Sequence, residues 1–211
     1  MSNNSDMRRK RCGSTYAPRS IGEYASTWTM YIQLGDRIGK GAFAQVYRGL
    51  NLKTGQVVAV KQIHLDGFPS KKEAEAAKHP NIVKYLDFNQ TESELNIILE
   101  YCEGGSLQSV LQRFGQFPEH LVGLYTAQVL LGLEYLHHQG VIHRDIKAAN
   151  LLSTKDGIVK LADFGVARFQ EGHGTVVGSP YWIAPEVIQL NGSTAASDIW
   201  SLGCTIIQLV T

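Results

Sequence analysis

The apolar residues of this chain change their period once, near Gly104-Gly105, and that switch constrains the fold more than any other feature. Before it, runs rich in Val, Ile, Tyr and Leu predict strands over Tyr31–Gly39, Ala44–Leu50, Gln56–Ile63, Ile82–Asn89 and Leu95–Glu100. Turn signals such as Lys53-Thr54-Gly55-Gln56 separate them. One short Ala/Glu/Lys stretch, Ser70–Lys78, suits a helix instead. After the switch, Ser106 is a plausible N-cap for a helix to Phe114. Leu121, Leu124, Tyr125, Val129, Leu130, Leu133 and Leu136 then recur at helical spacing over Pro118–Gln139, and Gly140 is its stop. A last apolar helix is predicted from Ala195 to Thr211. The fold class is α+β: an antiparallel β N-lobe, an extended join at 100–105, and a helical C-lobe. The space between two such lobes is a usual place for a ligand.

At 211 residues and 44% hydrophobic, the chain can form one sizeable domain or two small lobes sharing an interface. A net charge of +1 gives no electrostatic reason to expect nucleic acid as a partner. No apolar run reaches the roughly 18–20 residues that would span a bilayer. Cys12, Cys102 and Cys204 fit no metal-ligand spacing and suit a reduced, cytoplasmic setting. Residues 1–30 are polar and aperiodic, and read as a disordered leader. Their cluster Arg8, Arg9, Lys10, Arg11 leaves a nuclear address open.

Several short motifs then point to phosphate chemistry. In Ile38-Gly39-Lys40-Gly41-Ala42-Phe43-Ala44-Gln45-Val46, glycines between two strands let backbone N–H groups approach phosphate oxygens. Alone, the motif is equally a plain hairpin; a strand following it argues against a dinucleotide-binding turn. Lys61 ends the apolar run Val57-Val58-Ala59-Val60; if buried it needs a partner or a polyanion, and taken alone it is equally a lysine reaching the surface. His143-Arg144-Asp145-Ile146-Lys147-Ala148-Ala149-Asn150 is far more specific. Asp145 can orient a hydroxyl and accept its proton. Lys147 can neutralise a transferring phosphate, and Asn150 can give Mg²⁺ a hard oxygen ligand. Asp163-Phe164-Gly165 adds a second carboxylate for Mg²⁺, with Gly165 permitting the bend after it. Ala184-Pro185-Glu186 follows. The order and spacing of these motifs match the protein-kinase signature set.

From Tyr31 to Thr211 the chain resembles eukaryotic protein kinases. Within them it is most similar to Ser/Thr kinases of the MAP kinase kinase kinase epsilon and fungal septation-initiation type. LNIILEYCEGGSL (Leu95–Leu107), GVIHRDIKAAN (Gly140–Asn150), VKLADFGVA (Val159–Ala167) and VVGSPYWIAPEVI (Val176–Ile188) carry that likeness. The resemblance implies a kinase domain over 31–211, with N-lobe 31–99, hinge 100–105 and a partial C-lobe 106–211. It implies ATP and Mg²⁺ as cofactors and a protein Ser or Thr hydroxyl as acceptor. Residues Ile38 to Ala44 would cover the nucleotide. Ile38, Val46, Ala59 and Leu152 would sandwich adenine, with Leu99 as gatekeeper. The backbones of Glu100 and Cys102 would make the hinge contacts, so that their side chains matter little. Lys61 would pair the α- and β-phosphates and Asp145 would be the base, with Lys147 beside the γ-phosphate. Asn150 and Asp163 would hold Mg²⁺. Arg144 implies control by phosphorylation, with Thr175 the preferred site, Phe164 and Gly165 in the regulatory turn, and an upstream activating kinase or GTPase as partner. Ser179 is expected near Asp145 and Lys147, and Asp198 at the backbone of the His143–Asp145 loop.

Two departures from the family stand out. The stretch between Lys61 and His79 is shorter than in relatives, and Glu73-Ala74-Glu75-Ala76-Ala77-Lys78 has Ala where they carry large apolar residues. Glu73 is the expected partner of Lys61, with Glu75 second. Each such Leu-to-Ala difference costs roughly 2–5 kcal/mol at a core site, so loose docking is expected. Second, the sequence reads as truncated within the last helix. That predicts an exposed apolar patch and a Glu186 deprived of the Arg that pairs with it in relatives. The alternatives to an active Ser/Thr kinase are therefore an ATP-binding but inactive interaction module, or a non-functional fragment.

Overall fold

The computed structural model describes residues 31–41, 44–64, 78–90, 94–163, 168–169 and 179–211. The leader, Ala42, Phe43, Glu73, Glu75, Phe164, Gly165 and Thr175 lie outside the described residues, as does all of the predicted helix Ser70–Lys78 except Lys78.

Five antiparallel strands make the first sheet: β1 (Ile32–Lys40), β2 (Ala44–Asn51), β3 (Val57–His64), β4 (Tyr85–Gln90) and β5 (Glu94–Glu100), in the order β1-β2-β3-β5-β4. Alternation gives the sheet two characters. Val58, Val60 and Ile98 pack with Ile32 and Leu86 in one apolar cluster. Ala59 and Lys61, one residue out of step, face the other way. Gly49 is needed where β2 crosses β1, since a Cβ there would lie 2.9 Å from Ile32 Cγ2. In the β2–β3 turn, Asn51 Oδ1 accepts from Lys53 N and Thr54 N at 3.0 and 3.1 Å, and Gly55 takes φ +73°.

The strand predicted over Ile82–Asn89 begins only at Tyr85. Ile82 instead makes a parallel bridge to Leu161, with Val83 N donating to Leu161 O and Leu161 N to Asn81 O, both at 2.8 Å. The segment before β4 is thereby tied to the helical half. Burial raises the Tyr85 phenol to about 12, with Asp87 adding to the effect.

The helical half holds α1 (Leu107–Phe114), α2 (Glu119–His138), α3 (Pro185–Ile188) and α4 (Ala195–Val210). Short strands β6 (Gly105–Ser106), β8 (Leu151–Ser153) and β9 (Val159–Leu161) form one sheet, and β7 (Val141–Ile142) pairs with β10 (Arg168–Phe169). The extended join runs between Glu100, which closes β5, and Gly105, which opens β6. Ser106 Oγ caps α1 by accepting from Ser109 N at 3.1 Å. Gly140, at φ +72°, follows α2.

The main core gathers Val129, Leu133 and Leu136 of α2 with Ile146, Leu151, Val159, Leu161, Leu202 and Leu209. Leu124 and Leu130, read in sequence as part of the α2 stripe, are exposed. At 3.6 residues per turn Leu124 points opposite to Leu133, whereas Leu130 lies about 60° to one side, at the edge of the buried face. Gly132 lets α2 close on β9: a Cβ there would meet Leu161 Cδ1 at 2.8 Å.

On α4 the buried face is largely polar: Ser197, Asp198, Ser201 and Thr205, with Leu202 and Leu209. Ser201 Oγ donates to Trp182 O at 2.7 Å and Thr205 Oγ1 to Ser201 O at 2.8 Å, which removes most of the burial cost. Ile199, Trp200 and Ile207 face outward. Glu186, expected to lack a partner, accepts a hydrogen bond from Ser197 Oγ at 3.0 Å. Among the described residues no helix is long and apolar enough to cross a membrane.

Candidate active site

The segment between β7 and β8 carries the most specific sequence motif, and its backbone is held from beneath. Asp198, in the first turn of α4, is fully buried. Its Oδ2 accepts from His143 N at 2.9 Å and its Oδ1 from Arg144 N at 2.8 Å. The fork secures a costly conformation, because Arg144 sits at φ +69°, which a residue with a Cβ adopts reluctantly. His143 is buried too, and burial lowers its pKa. The neutral ring has one consistent tautomer. Nε2–H donates to Ala162 O at 3.0 Å, and Nδ1 accepts from Asp145 N at 3.3 Å. One imidazole thus links the residue before Asp163 to Asp145.

Three side chains converge on the Asp145 carboxylate. Ser179 Oγ donates to Oδ1 at 2.9 Å and Asn150 Nδ2 to Oδ2 at 2.8 Å. Lys147 Nζ lies 2.9 Å from Oδ2 and also donates to Ser179 Oγ at 2.6 Å. Ser179 therefore joins Asp145 and Lys147. Asn150 Nδ2 also donates to Asp145 O at 2.8 Å, and the 3₁₀ turn Ala148–Asn150 seats it. These donors fix the carboxylate's orientation.

Strand register assembles the opposite wall. Gly39 faces Val46, Val46 faces Lys61, and Ala59 faces Leu99 across the ladders. Directly opposed residues share a face, so Val46, Ala59, Lys61 and Leu99 form one surface. Ile38, Lys40 and Gly41 are exposed at its edge, and Ala44 starts β2. Leu99 and Leu152 pack against Val83, Cys102 and Ala162 in one apolar cluster at the join. Val83 and Ala162 were not singled out in sequence; the signal was an apolar residue directly before Asp163.

Lys61, its side chain 11% exposed, is ion-paired with Oδ1 of Asp163, which is 48% exposed and at φ +67°. The expected Lys61–Glu73 pair lies outside the described residues.

The Glu100 side chain corrects an expectation. The family resemblance gives weight only to its backbone, yet its Oε1 accepts from Lys84 N at 2.5 Å and pairs with Lys160 Nζ at 2.9 Å. It joins the join, the approach to β4 and the strand leading to Asp163. The lone cation in the apolar run Ile158–Ala162 was the available signal. Burial, with Glu100 next in effect, pushes the Cys102 thiol up to about 11.

The oxygen donors fit a hard divalent cation. Asn150 uses its amide N–H groups on Asp145, which leaves a carbonyl oxygen, and Asp163 offers a partly solvated carboxylate. An open groove of about 780 Å³ lies elsewhere, between α2 and α4, lined by residues such as Leu130, Leu131 and Ile199. It carries none of these groups, so convergent side chains locate the site better than concavity does.

Residues 32–211 match the family model described as the protein kinase domain. The chain is 62% identical over 186 residues to cytokinesis protein sepH of Aspergillus terreus, covering 84% of this chain and 14% of that protein. It is 61% identical over 191 residues to cell division control protein 7 of Schizosaccharomyces pombe (85% and 18%). To MAP3K epsilon protein kinase 1 of Arabidopsis thaliana it is 55% identical over 193 residues (84% and 14%). The chain thus spans less than a fifth of the length of each of these relatives.

Proposed function

The chain belongs to the protein kinase family, and from that premise we propose that it transfers the γ-phosphoryl group of Mg-ATP to a Ser or Thr hydroxyl of a protein. The observation that carries this reading is the Asp145 carboxylate, oriented at both oxygens by Lys147, Asn150 and Ser179. Such a carboxylate can align an acceptor hydroxyl and take its proton as the phosphoryl group arrives. Lys147 stands beside that point and offsets the charge that develops on the transferring group. Asn150 Oδ1 and the Asp163 carboxylate would hold Mg²⁺, which supplies neutralisation of the phosphate oxygens. Lys61 would serve the α- and β-phosphates. The apolar cluster of Leu99, Leu152, Val83, Cys102 and Ala162 offers a dry surface for adenine beside backbone groups at 100–102.

Ser/Thr specificity is supported by the placement of Lys147 and Ser179 around Asp145, the pattern that sequence resemblance associates with that class. The names of the relatives support a role in septation or in a MAP-kinase-type cascade. Arg144 beside Asp145 supports control through phosphorylation near Thr175, by an upstream kinase or a GTPase-linked activator. The test is transfer from γ-labelled ATP to dephosphorylated casein, followed by phosphoamino-acid analysis. Label on Ser and Thr is expected. Label on Tyr alone, or none above background, overturns the reading.

A further inference from the structure

We propose that His137, near the C-terminus of α2, is a positioning residue for phosphoryl transfer, acting through Asp198 on the backbone of the catalytic loop. The inference rests on the kinase reading above and deepens it. His137 Nε2 lies 2.8 Å from Asp198 Oδ2, the oxygen that also accepts from His143 N. Asp198 Oδ1 accepts from Arg144 N. The Asp198 side chain is only 1% exposed and His137 only 17%. A carboxylate in that setting cannot turn to water for its remaining lone pairs, so a fixed donor on a rigid helix sets which way its two oxygens point.

The direction matters because of what the two oxygens hold. Arg144 is at φ +69°, and its amide position depends on Oδ1. Asp145 comes next in the chain. Rotation of the Asp198 carboxylate would release the Arg144 amide, let its strained backbone relax, and move the base. His137 touches none of the reacting groups; its contribution passes through Asp198 alone. Sequence reading overlooked it because His137-His138 looks like an ordinary basic ending to a helix.

The test compares His137→Phe, which keeps a ring but has no donor, with His137→Gln, whose amide can place N–H near the position of Nε2. Transfer to casein, Mg-ADP binding, melting and amide exchange are measured on the whole chain. In His137→Phe, kcat should fall about 10- to 100-fold while KM for ATP stays within about twofold. Exchange at the His143 and Arg144 amides should accelerate about tenfold or more. His137→Gln should recover most of both. If His137→Phe does not fold, His137→Asn, one methylene short of Gln, replaces it. Unchanged exchange at these two amides in a folded Phe or Asn variant overturns the inference, as does a Gln variant no better than Phe. If the unsubstituted chain transfers no phosphate, the proposed function fails, and the exchange measurement still decides the role of His137.

Discussion

The catalytic loop and the glycine-rich hairpin face each other across the same site and are held by different means. The loop is cross-bonded from below and from the side. Asp198 and His143 are fully buried, and each fixes a backbone or side-chain atom next to Asp145. The hairpin of β1 and β2 relies on its ladder. Most of β1 is exposed, and its Asp36–Arg48 ion pair, at 3.0 Å, joins two exposed side chains, which adds little in water. Among the described residues the loop is thus shaped by buried hydrogen bonds, whereas the hairpin's shape rests mainly on backbone pairing. On the proposed function, preorganisation would sit where charge and proton move, and adaptability where the nucleotide enters.

The largest expected effects test the ion pair that joins the two sides, Lys61 of β3 and Asp163. Asp163→Asn should reduce transfer by roughly 10²–10⁴-fold, because it removes the partner of Lys61 and, on the proposed function, a carboxylate that would hold Mg²⁺. Lys61→Met should act in the same direction, and single-turnover rates check both. Comparable rates in either variant would break the comparison.

A second contrast concerns packing. Leu133→Ala, in the main core, should cost about 2–5 kcal/mol. Leu34→Ala, on the exposed side of β1, should stay within about 0.5 kcal/mol. Urea unfolding of the two variants measures the difference, and equal losses would show that the hairpin is as integrated as the helical half.

The smallest effect is chemical. With its thiol raised to about 11 and its side chain buried, Cys102 should be nearly inert to iodoacetamide at pH 8, where roughly one thiol in a thousand is ionised. The more exposed Cys204 should alkylate before Cys102, by peptide mass spectrometry.

Legibility in the sequence followed the same division. The loop motif, the strands from Ala44 to Ile63 and the caps at Ser106 and Gly140 rest on local rules, and the structure has those elements where those rules put them. What stayed hidden depends on distant neighbours. Ile82 looks like strand but bridges to Leu161, some eighty residues on. The α4 pattern gave no sign that Ser201 and Thr205 would be the buried face, since their partners include Trp182 and Ile146 carbonyls from elsewhere in the chain. Glu100 and Lys160 are unremarkable until β5 and β9 meet. His137 is equally mute until the start of α4 approaches the end of α2.

The central claim is that the carboxylate held by Lys147, Asn150 and Ser179 is the base of phosphoryl transfer. Asp145→Asn keeps the volume and most hydrogen-bonding positions while removing the charge. Transfer of label from γ-labelled ATP to casein, beside Mg-ADP binding and melting of the same samples, tests it directly. The account predicts a loss of about 10²–10⁴-fold in transfer with nucleotide binding and melting close to those of the unsubstituted chain. Transfer retained within a few-fold by folded Asp145→Asn protein would contradict it.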